Sequence, residues 1–379
     1  GFMIGTGGTA LVSKLLGEGK KDEAHRTFSM MVLFTLLLGL VLSAVGFLTM
    51  RPVSYFLGAT DAMIDDCVLY GRIVTGFTFA FMLQNVFQSF FIAAEKPRLG
   101  LIVTVAAGVT NMALDALFIA VFDWGVAGAA IATGLSQCVG GVLPLIYFLR
   151  PNDSFLRMRP TALRLRPILQ ACGNGSSELM SNISSSLVGM LYNFQLMRLI
   201  GEDGVSAYGV LMYVQFIFVA IFIGYSIGCA PVVSFHFGAQ NHSELKSLLR
   251  KSTLLMASGG VLLTIAARLL AAPLARLFVG YDAGLFELTS HAFRLFSWSF
   301  LLAGFNIFAS GFFTALNNGA ISAAISFLRT LVFQTASVLI LPLLLDVDGI
   351  WWAITVAEIF AFLISLMFLY LKRNKYHYL

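Results

Sequence analysis

Apolar stretches long enough to cross a lipid bilayer recur along almost the whole chain, and this recurrence limits the possible folds more than any other feature. Of the 379 residues, 58% are hydrophobic and 11% are charged, whereas a soluble globular domain has about 25% charged residues. A membrane-spanning helix needs about 20 apolar residues, and a membrane β-barrel would show short alternating segments instead. The sequence therefore predicts an all-α, multi-pass membrane protein.

The apolar stretches predict ten membrane helices, preceded by residues 1–13 as the end of another helix. The predicted helices are 27–50, 67–93, 99–122, 126–149, 167–199, 205–235, 252–279, 288–315, 320–345 and 349–371. Lysine and arginine concentrate in the loops of one side, and the positive-inside rule makes that side cytoplasmic. We therefore expect a plasma or inner membrane protein whose basic linker 150–166 and C-terminus are cytoplasmic. This distribution accounts for the net charge of +5 without a nucleic-acid partner.

An internal repeat with an offset of 221–224 residues relates the two halves of the sequence. FFIA at 90–93 matches FFTA at 312–315, and Arg72 matches Arg294. Because matched helices run in the same direction, the repeat predicts two parallel six-helix bundles. The second half has six predicted helices, so we expect about 50–60 residues, the first helix and most of the second, to be absent before residue 1. The predicted domains are a partial N-terminal lobe with helices 2–6 (1–149), the linker (150–166) and a C-terminal lobe with helices 7–12 (167–379).

Two polar residues interrupt the apolar stretch 100–122. Asn111 and Asp115 are four residues apart, which places them on one face of a helix. An ionisable carboxyl at membrane depth costs several kcal/mol and is found mainly where it lines a pathway or a buried site. Asp115 is therefore the strongest indication that the chain transports a solute.

Neighbouring predicted helices carry Asn85 and Thr133 at similar depth. Short connections make contacts between these helices expected, and clustered carboxylate, amide and hydroxyl oxygens suit a monovalent cation or a proton. Asn85 or Thr133 taken alone is better explained by a hydrogen bond between packed helices. We predict a cation-binding site made of Asp115, Asn111, Asn85 and Thr133.

The second half departs from the first, because Phe333 and Ser337 stand where the first half has Asn111 and Asp115. Glu178, near the start of its helix, either lines a cavity or reaches headgroups and water. Glu358 lies deep in the last helix, where it has a cavity role or pairs with Arg329 or Gln334. Tyrosines in this half are candidates for stacking on a cationic compound: Tyr192, Tyr208 and Tyr213. We predict a substrate cavity lined by Gln84, Glu178, Asn182, Gln334 and Glu358.

The sequence offers no site for enzymatic chemistry. The glycine-rich pieces at 5–8 and 17–20 lack Walker A and dinucleotide spacing. The four cysteines form no CxxC pair and no two histidines form a ligand pair inside a predicted helix, so no metal site is indicated. We predict no catalytic residue and no cofactor other than a coupling ion.

Four segments resemble the multidrug and toxic compound extrusion (MATE) family: GGTALVS at 7–13, EKP at 95–97, NMALDALFI at 111–119 and GVAGAAIAT at 125–133. The resemblance covers essentially the whole chain. It implies twelve helices in two six-helix lobes, a central cavity and cation-driven export of organic compounds. In one branch of the family the cation site uses residues that match Asn85, Asn111, Asp115 and Thr133, together with an Asp on the first helix. Other members use a seventh-helix Glu, which lies later in that helix than Glu178.

These features predict a monomeric secondary antiporter that exports cationic drugs or toxic metabolites in exchange for H⁺ or Na⁺, with membrane lipid as its surroundings. A lipid-linked oligosaccharide flippase of the same superfamily is the alternative. It would need basic groups in the cavity to hold a pyrophosphate, and few arginines lie at membrane depth. An intramembrane enzyme would need a nucleophile and base, and a channel fits the parallel repeat less well.

Overall fold

The computed structural model describes residues 1–57 and 59–378, and the regular structure of these residues is entirely helical. The chain forms two compact units, Gly1–Cys172 and Gly173–Leu379. The prediction of an all-α membrane fold is confirmed, because eight helical stretches of the described residues are long and apolar enough to span a bilayer, and a bent helix pair makes a ninth.

The first unit contains six helices and one π-helical segment before the linker. They are α1 (Phe2–Gly17), α2 (Lys21–Phe56), α3 (Ile64–Gly76), α4 (Thr78–Ala93), α5 (Pro97–Asp115), the π-helical Ala116–Val121 and α6 (Gly125–Leu149). The next helix, α7 (Leu165–Asn174), contains the border between the two units.

Among the described residues, the second unit continues with eight α-helices, one 3₁₀ turn and one π-helical segment. They are α8 (Ser176–Leu199), α9 (Glu202–Gly238), α10 (His242–Val279), α11 (Ala283–Phe296), the 3₁₀ turn Ser297–Ser299, α12 (Phe300–Ala315), α13 (Gly319–Phe327), the π-helical Leu328–Phe333, α14 (Gln334–Ile340) and α15 (Pro342–Tyr376).

Several predicted helices are broken or bent. The predicted helix 67–93 is α3 and α4, which meet at Phe77 with a bend of 45°. The bend follows Gly76, a residue that weakens a helix because it lacks a side chain and has high backbone freedom. The predicted helix 167–199 is interrupted at Gly175, and its second part, α8, is rich in serine and is not among the apolar spans.

The backbone itself repeats between the two units. Residues with positive φ, which are uncommon outside glycine, recur at matched positions in the two units, in loops or, for Asp346, at a break inside α15. The pairs are Gly19 (80°) with Gln240 (52°), Glu95 (59°) with Asn317 (56°), and Asp123 (55°) with Asp346 (50°). The separations of 221, 222 and 223 residues follow from these numbers and agree with the offset of the sequence repeat.

A close glycine contact also recurs. A Cβ added to Gly39 of α2 would lie 2.6 Å from the Cα of Phe79, and a Cβ added to Gly260 of α10 would lie 2.6 Å from the carbonyl oxygen of Leu301. Both contacts bring a long helix directly against the backbone of the buried helix of its unit, α4 or α12. The same close helix–helix contact therefore occurs in both units, between α2 and α4 and between α10 and α12.

The segment after α6 packs on the first unit. Leu156 is fully buried, the backbone N–H of Arg157 donates to Nδ1 of His25 (3.2 Å), and the backbone N–H of Arg159 donates to Oγ of Ser29 (2.7 Å). These hydrogen bonds attach the predicted linker to the start of α2.

Candidate functional site

Asp115 is the last residue of α5, and the helix continues directly after it as the π-helical segment Ala116–Val121. A π-helical turn inserts into an α-helix at an energetic cost and is frequent at functional sites. The Asp115 side chain is partly buried, and its Oδ1 is buried without a hydrogen-bond partner. The carboxylate therefore lies at the point where the helix changes its geometry.

Thr133 lies at about the level of Asp115 on the neighbouring helix α6. A Cβ added to Gly128 would lie 3.0 Å from the Cβ of Phe118, and α5 and α6 are consecutive helices joined by a short connection. Counting back along two antiparallel helices places Asp115 opposite residue 131, about 3 Å along the axis from Thr133. The Thr133 hydroxyl donates to the Ala129 carbonyl oxygen (2.9 Å), so its oxygen can still accept or coordinate.

Asn85 lies further along the bundle. A Cβ added to Gly100 would lie 3.1 Å from the Cβ of Phe91, so Asn85 of α4 is opposite residue 106 of α5. That level is about 7 Å from Asn111 and about 13 Å from Asp115 along the helix axis. Asn85 is buried, and its Cβ lies beside Gly1 before α1.

The structure thus brings Asp115 and Thr133 to one level, with Asn111 one turn away on the face of Asp115 and Asn85 beyond it. In the described residues, no hydrogen bond joins any two of these four side chains.

Gln137 belongs to this region and was not predicted. It lies four residues after Thr133, on the same face of α6, and its Oε1 is buried without a hydrogen-bond partner. Counting from the Gly128–Phe118 contact places Gln137 opposite residue 109, within a turn of Asn111. The spacing from Thr133 was the available sequence signal. Gln84 also faces α6, since a Cβ added to Gly140 would lie 2.5 Å from its Cδ.

Asp115 has no ion-pair partner in the described residues. The ion pairs of the first unit lie outside its apolar interior: Lys14–Glu18, Lys20–Glu18, Arg51–Asp65 and Lys96–Asp153. An uncompensated buried carboxylate is strongly unfavourable. A proton or a bound monovalent cation would remove that cost.

Glu358 shows the opposite arrangement in the second unit. Its side chain is 2% exposed and lies 2.7 Å, Oε1 to Nη2, from Arg329. Nε of Arg329 donates to both carboxylate oxygens (2.9 and 3.1 Å), and Nδ2 of Asn306 donates to Oε2 (2.6 Å). Of the interpretations left open by the sequence, pairing with Arg329 is the arrangement in the structure.

A cavity of about 310 Å³ lies within the second unit, among α8, α9 and the helices behind them. Tyr192 and Tyr208 stack beside it with ring centroids 4.8 Å apart, and Oη of Tyr192 is buried without a partner. Gln334 lines the cavity together with Gln215. Tyr213 is 72% exposed and is not in the lining.

The other predicted cavity residues lie outside this lining. Glu178 is partly buried in the first turn of α8, and Asn182 is exposed and donates from Nδ2 to the carbonyl oxygen of Glu178 (2.7 Å). Glu358 is enclosed by its two partners. The described residues contain no group of three or more His, Cys, Asp or Glu side chains that could hold a metal ion.

The family model MatE matches residues 1–117 and 179–338. The chain belongs to the MatE family. It is therefore a membrane transporter and not an enzyme, as the sequence predicted.

Curated relatives of this MatE chain are distant in sequence. Multidrug export protein MepA of Staphylococcus saprophyticus is 22% identical over 382 residues, which cover 99% of this chain and 82% of the relative. Multidrug export protein MepA of Staphylococcus haemolyticus is also 22% identical, over 379 residues with the same coverage.

Solved structures share the fold of this MatE chain at low identity. A crystal structure of MATE in complex with MaL6 superimposes with a TM-score of 0.94 at 18% identity and covers 99% of this chain and 85% of its own. A multidrug resistance MATE family transporter in its outward-facing conformation gives a TM-score of 0.93 at 19% identity, with 99% and 84% covered. The likeness shows that the fold is the MATE transporter fold.

Proposed function

We propose that this MatE-family chain is a secondary antiporter that exports cationic organic compounds in exchange for H⁺ or Na⁺. The observation that carries the proposal is Asp115, a carboxylate without an ion-pair partner at the start of a π-helical segment. A visiting cation is the simplest means of compensating such a charge within the bilayer. The name of the MepA relatives, multidrug export protein, supports the direction of transport.

The coupling site consists of Asp115 and Thr133 at one level, with Asn111 and Gln137 one turn along the bundle. Asn85 acts at the deeper end of this polar row, not as a direct ligand of an ion held by Asp115. Cation binding at Asp115 stabilises one geometry of the π-helical segment Ala116–Val121 and so biases one conformation of the first lobe. The bias is as large as the difference in cation affinity between the two conformations.

The substrate is a flat organic cation or a compound with an aromatic ring. Tyr192 and Tyr208 offer a stacked aromatic wall to the 310 Å³ cavity, and the unpartnered Tyr192 hydroxyl and Gln334 supply polar contacts. Aromatic faces attract cations, and desolvation strengthens that attraction. Glu178 and Asn182 lie near the start of α8, where they take part in substrate entry and not in the cavity itself.

The lipid-linked oligosaccharide flippase is less favoured. Its anionic substrate needs free basic groups at membrane depth, and Arg329 is already neutralised by Glu358.

We further propose that the protein lies in the plasma or inner membrane as a monomer, with the linker 150–166 and the C-terminus cytoplasmic. Its proposed lobes are 1–149 and 167–379. The positive-inside distribution supports this orientation.

The test is efflux of a fluorescent cationic dye from cells that lack their own pumps, with the full-length protein and its Asp115→Asn variant. We expect Asp115→Asn to abolish ion-dependent efflux while expression stays unchanged. Asp123→Asn is the matched control, because it makes the same chemical change in a loop where Asn tolerates the positive φ of 55°. Imposing a pH gradient and a Na⁺ gradient separately identifies the coupling ion. Equal efflux and equal ion dependence of Asp115→Asn and wild type would exclude the proposed coupling site.

A further inference from the structure

An open groove runs along the surface of the second unit between α10 and α15. Both helices pack on α12, and Phe305 of α12 contributes to the lining. Leu249 and Leu254 line the α10 side, and Leu366 and Leu369 line the α15 side. The groove has a volume of about 830 Å³, and Leu254 is 71% exposed. In a membrane, such an apolar surface is in contact with lipid acyl chains.

One end of the groove carries two positive charges. Lys246 and Arg250 line the groove, and their spacing of four residues places both on one face of α10. Both side chains are exposed, and neither makes an ion pair or a side-chain hydrogen bond with a described residue. Among the described residues, the lining contains no acidic side chain that would neutralise them.

Further basic residues lie near the charged end of the groove. The rings of His242 and His377 lie 5.1 Å apart, so the start of α10 and the end of α15 meet there. The last turns of α15 add Lys372, Arg373 and Lys375, and the segment 366–378 has no acidic residue. Positive charge at this level of a membrane protein lies at the depth of anionic headgroups.

The rest of the groove end is closed by tyrosines. Oη of Tyr378 donates to the Leu369 carbonyl oxygen (2.9 Å), and the Arg373 guanidinium lies over the Tyr370 ring. From Lys246 to Ala257 the groove extends for about 16 Å along α10. The arrangement combines a cationic head region with a long apolar channel, which is the shape and polarity of one phospholipid molecule with an anionic headgroup.

We propose that this groove is a binding site for a single anionic phospholipid, whose phosphate is held by Lys246 and Arg250 and whose acyl chain lies between α10 and α15. The site is separate from the proposed cation and substrate sites, and it stands whether or not the antiporter proposal holds.

Native mass spectrometry of the purified full-length protein in detergent tests this site with phosphatidylglycerol and with phosphatidylcholine. We expect one phosphatidylglycerol to stay bound to the wild type at concentrations at which phosphatidylcholine is lost. The double variant Lys246→Gln/Arg250→Gln should weaken phosphatidylglycerol binding by about five-fold for each charge removed. Equal retention of both lipids by the wild type would overturn the proposal.

Two further variants separate a site from general surface attraction. The control Lys372→Gln/Lys375→Gln removes the same amount of charge at the same end of the helices but outside the groove lining. This variant should keep the lipid, and loss of the lipid from it would overturn the proposal. Ala257→Trp keeps both charges and fills the groove, so it should expel the lipid, and retained lipid would equally overturn it. Thermal unfolding in lipid-free detergent checks that each variant is folded, and Thr253→Trp replaces Ala257→Trp if that variant is not.

Discussion

Asp115 and Glu358 are acidic residues of helices in the two units, but their surroundings are opposite. Asp115 is partly buried at the end of α5, and Glu358 is buried in α15. Glu358 receives two hydrogen bonds from Nε of Arg329 and one from Asn306. With the repeat offset of 222 near Arg329 and 224 after Gly349, the first unit has Ala107 where the second has Arg329 and Gly134 where it has Glu358. One unit thus holds a neutralised ion pair and the other an uncompensated carboxylate.

The π-helical segments lie in the same helix of each repeat but at different turns. The first follows Asp115 directly, at Ala116–Val121, and the second, at Leu328–Phe333, contains Arg329. Each segment therefore lies at or beside one charged residue of its unit. In the second unit Arg329 pairs with Glu358, whereas Asp115 in the first has no ion-pair partner among the described residues. The comparison suggests a fixed second lobe and an ion-responsive first lobe.

The largest effect should come from breaking the ion pair. Arg329→Met leaves Glu358 buried without a counter-charge, and removal of one partner of a buried pair costs about 3–5 kcal/mol. We expect a loss of this size in the free energy of unfolding, measured by denaturant titration in mixed micelles. The double variant Arg329→Met/Glu358→Leu should recover most of it, because no buried charge remains. If Arg329→Met were as stable as wild type, the pair would not hold the second lobe.

The repeated glycine contacts should give equal, smaller losses in the two units. Gly39→Ala and Gly260→Ala each push a Cβ to 2.6 Å from backbone atoms of α4 or α12, and overpacking of this kind costs about 1–3 kcal/mol. Gly108→Ala is the control, because an added Cβ meets nothing within 4 Å and should stabilise its helix by about 0.5–1 kcal/mol. Thermal unfolding of all three variants checks the order. A loss in only one of the two would show that the units differ in packing as well as in charge.

Replacing Asp115 should leave stability almost unchanged while it abolishes coupling. Asp115→Asn removes an unpaired carboxylate, so we expect the free energy of unfolding to change by less than about 1 kcal/mol. Glu358→Gln, the same type of change in the second unit, should be clearly destabilising because it leaves Arg329 without its counter-charge. Parallel unfolding curves of both variants give the comparison directly. Matching losses would mean that Asp115 is held as firmly as Glu358.

The sequence predicts the fold and its repeat, since the length of the apolar stretches and the distribution of charge between loops depend on local composition. It did not reach the π-helical segments, because a shift of backbone hydrogen bonds is decided by packing against neighbouring helices. Glu358 clearly needed a partner, but only the three-dimensional arrangement selects Arg329 over Gln334. Grouping Asn85 with Asp115, from similar depth in consecutive helices, stays a prediction. For Gln137, the sequence offered only its spacing of four residues from Thr133.

The smallest expected effect concerns the attachment of the linker to the first unit. Nζ of Lys96 lies 2.8 Å from Oδ2 of Asp153, and this hydrogen bond lowers the pKa of the Asp153 carboxyl below its ordinary value of 3.8. A lowered pKa means that the pair stabilises the folded state above pH 3.8 and that this contribution is lost as the pH falls through the folded pKa. Asp153 is exposed and Lys96 is half-buried, so solvent screening keeps the contribution small. We expect Lys96→Met to reduce the pH dependence of thermal unfolding below about pH 4. Lys372→Met is the control, because Lys372 has no ion pair with a described residue, and it should leave the pH dependence unchanged. Identical profiles for the two variants would show that the linker is held by Leu156 and its backbone hydrogen bonds alone.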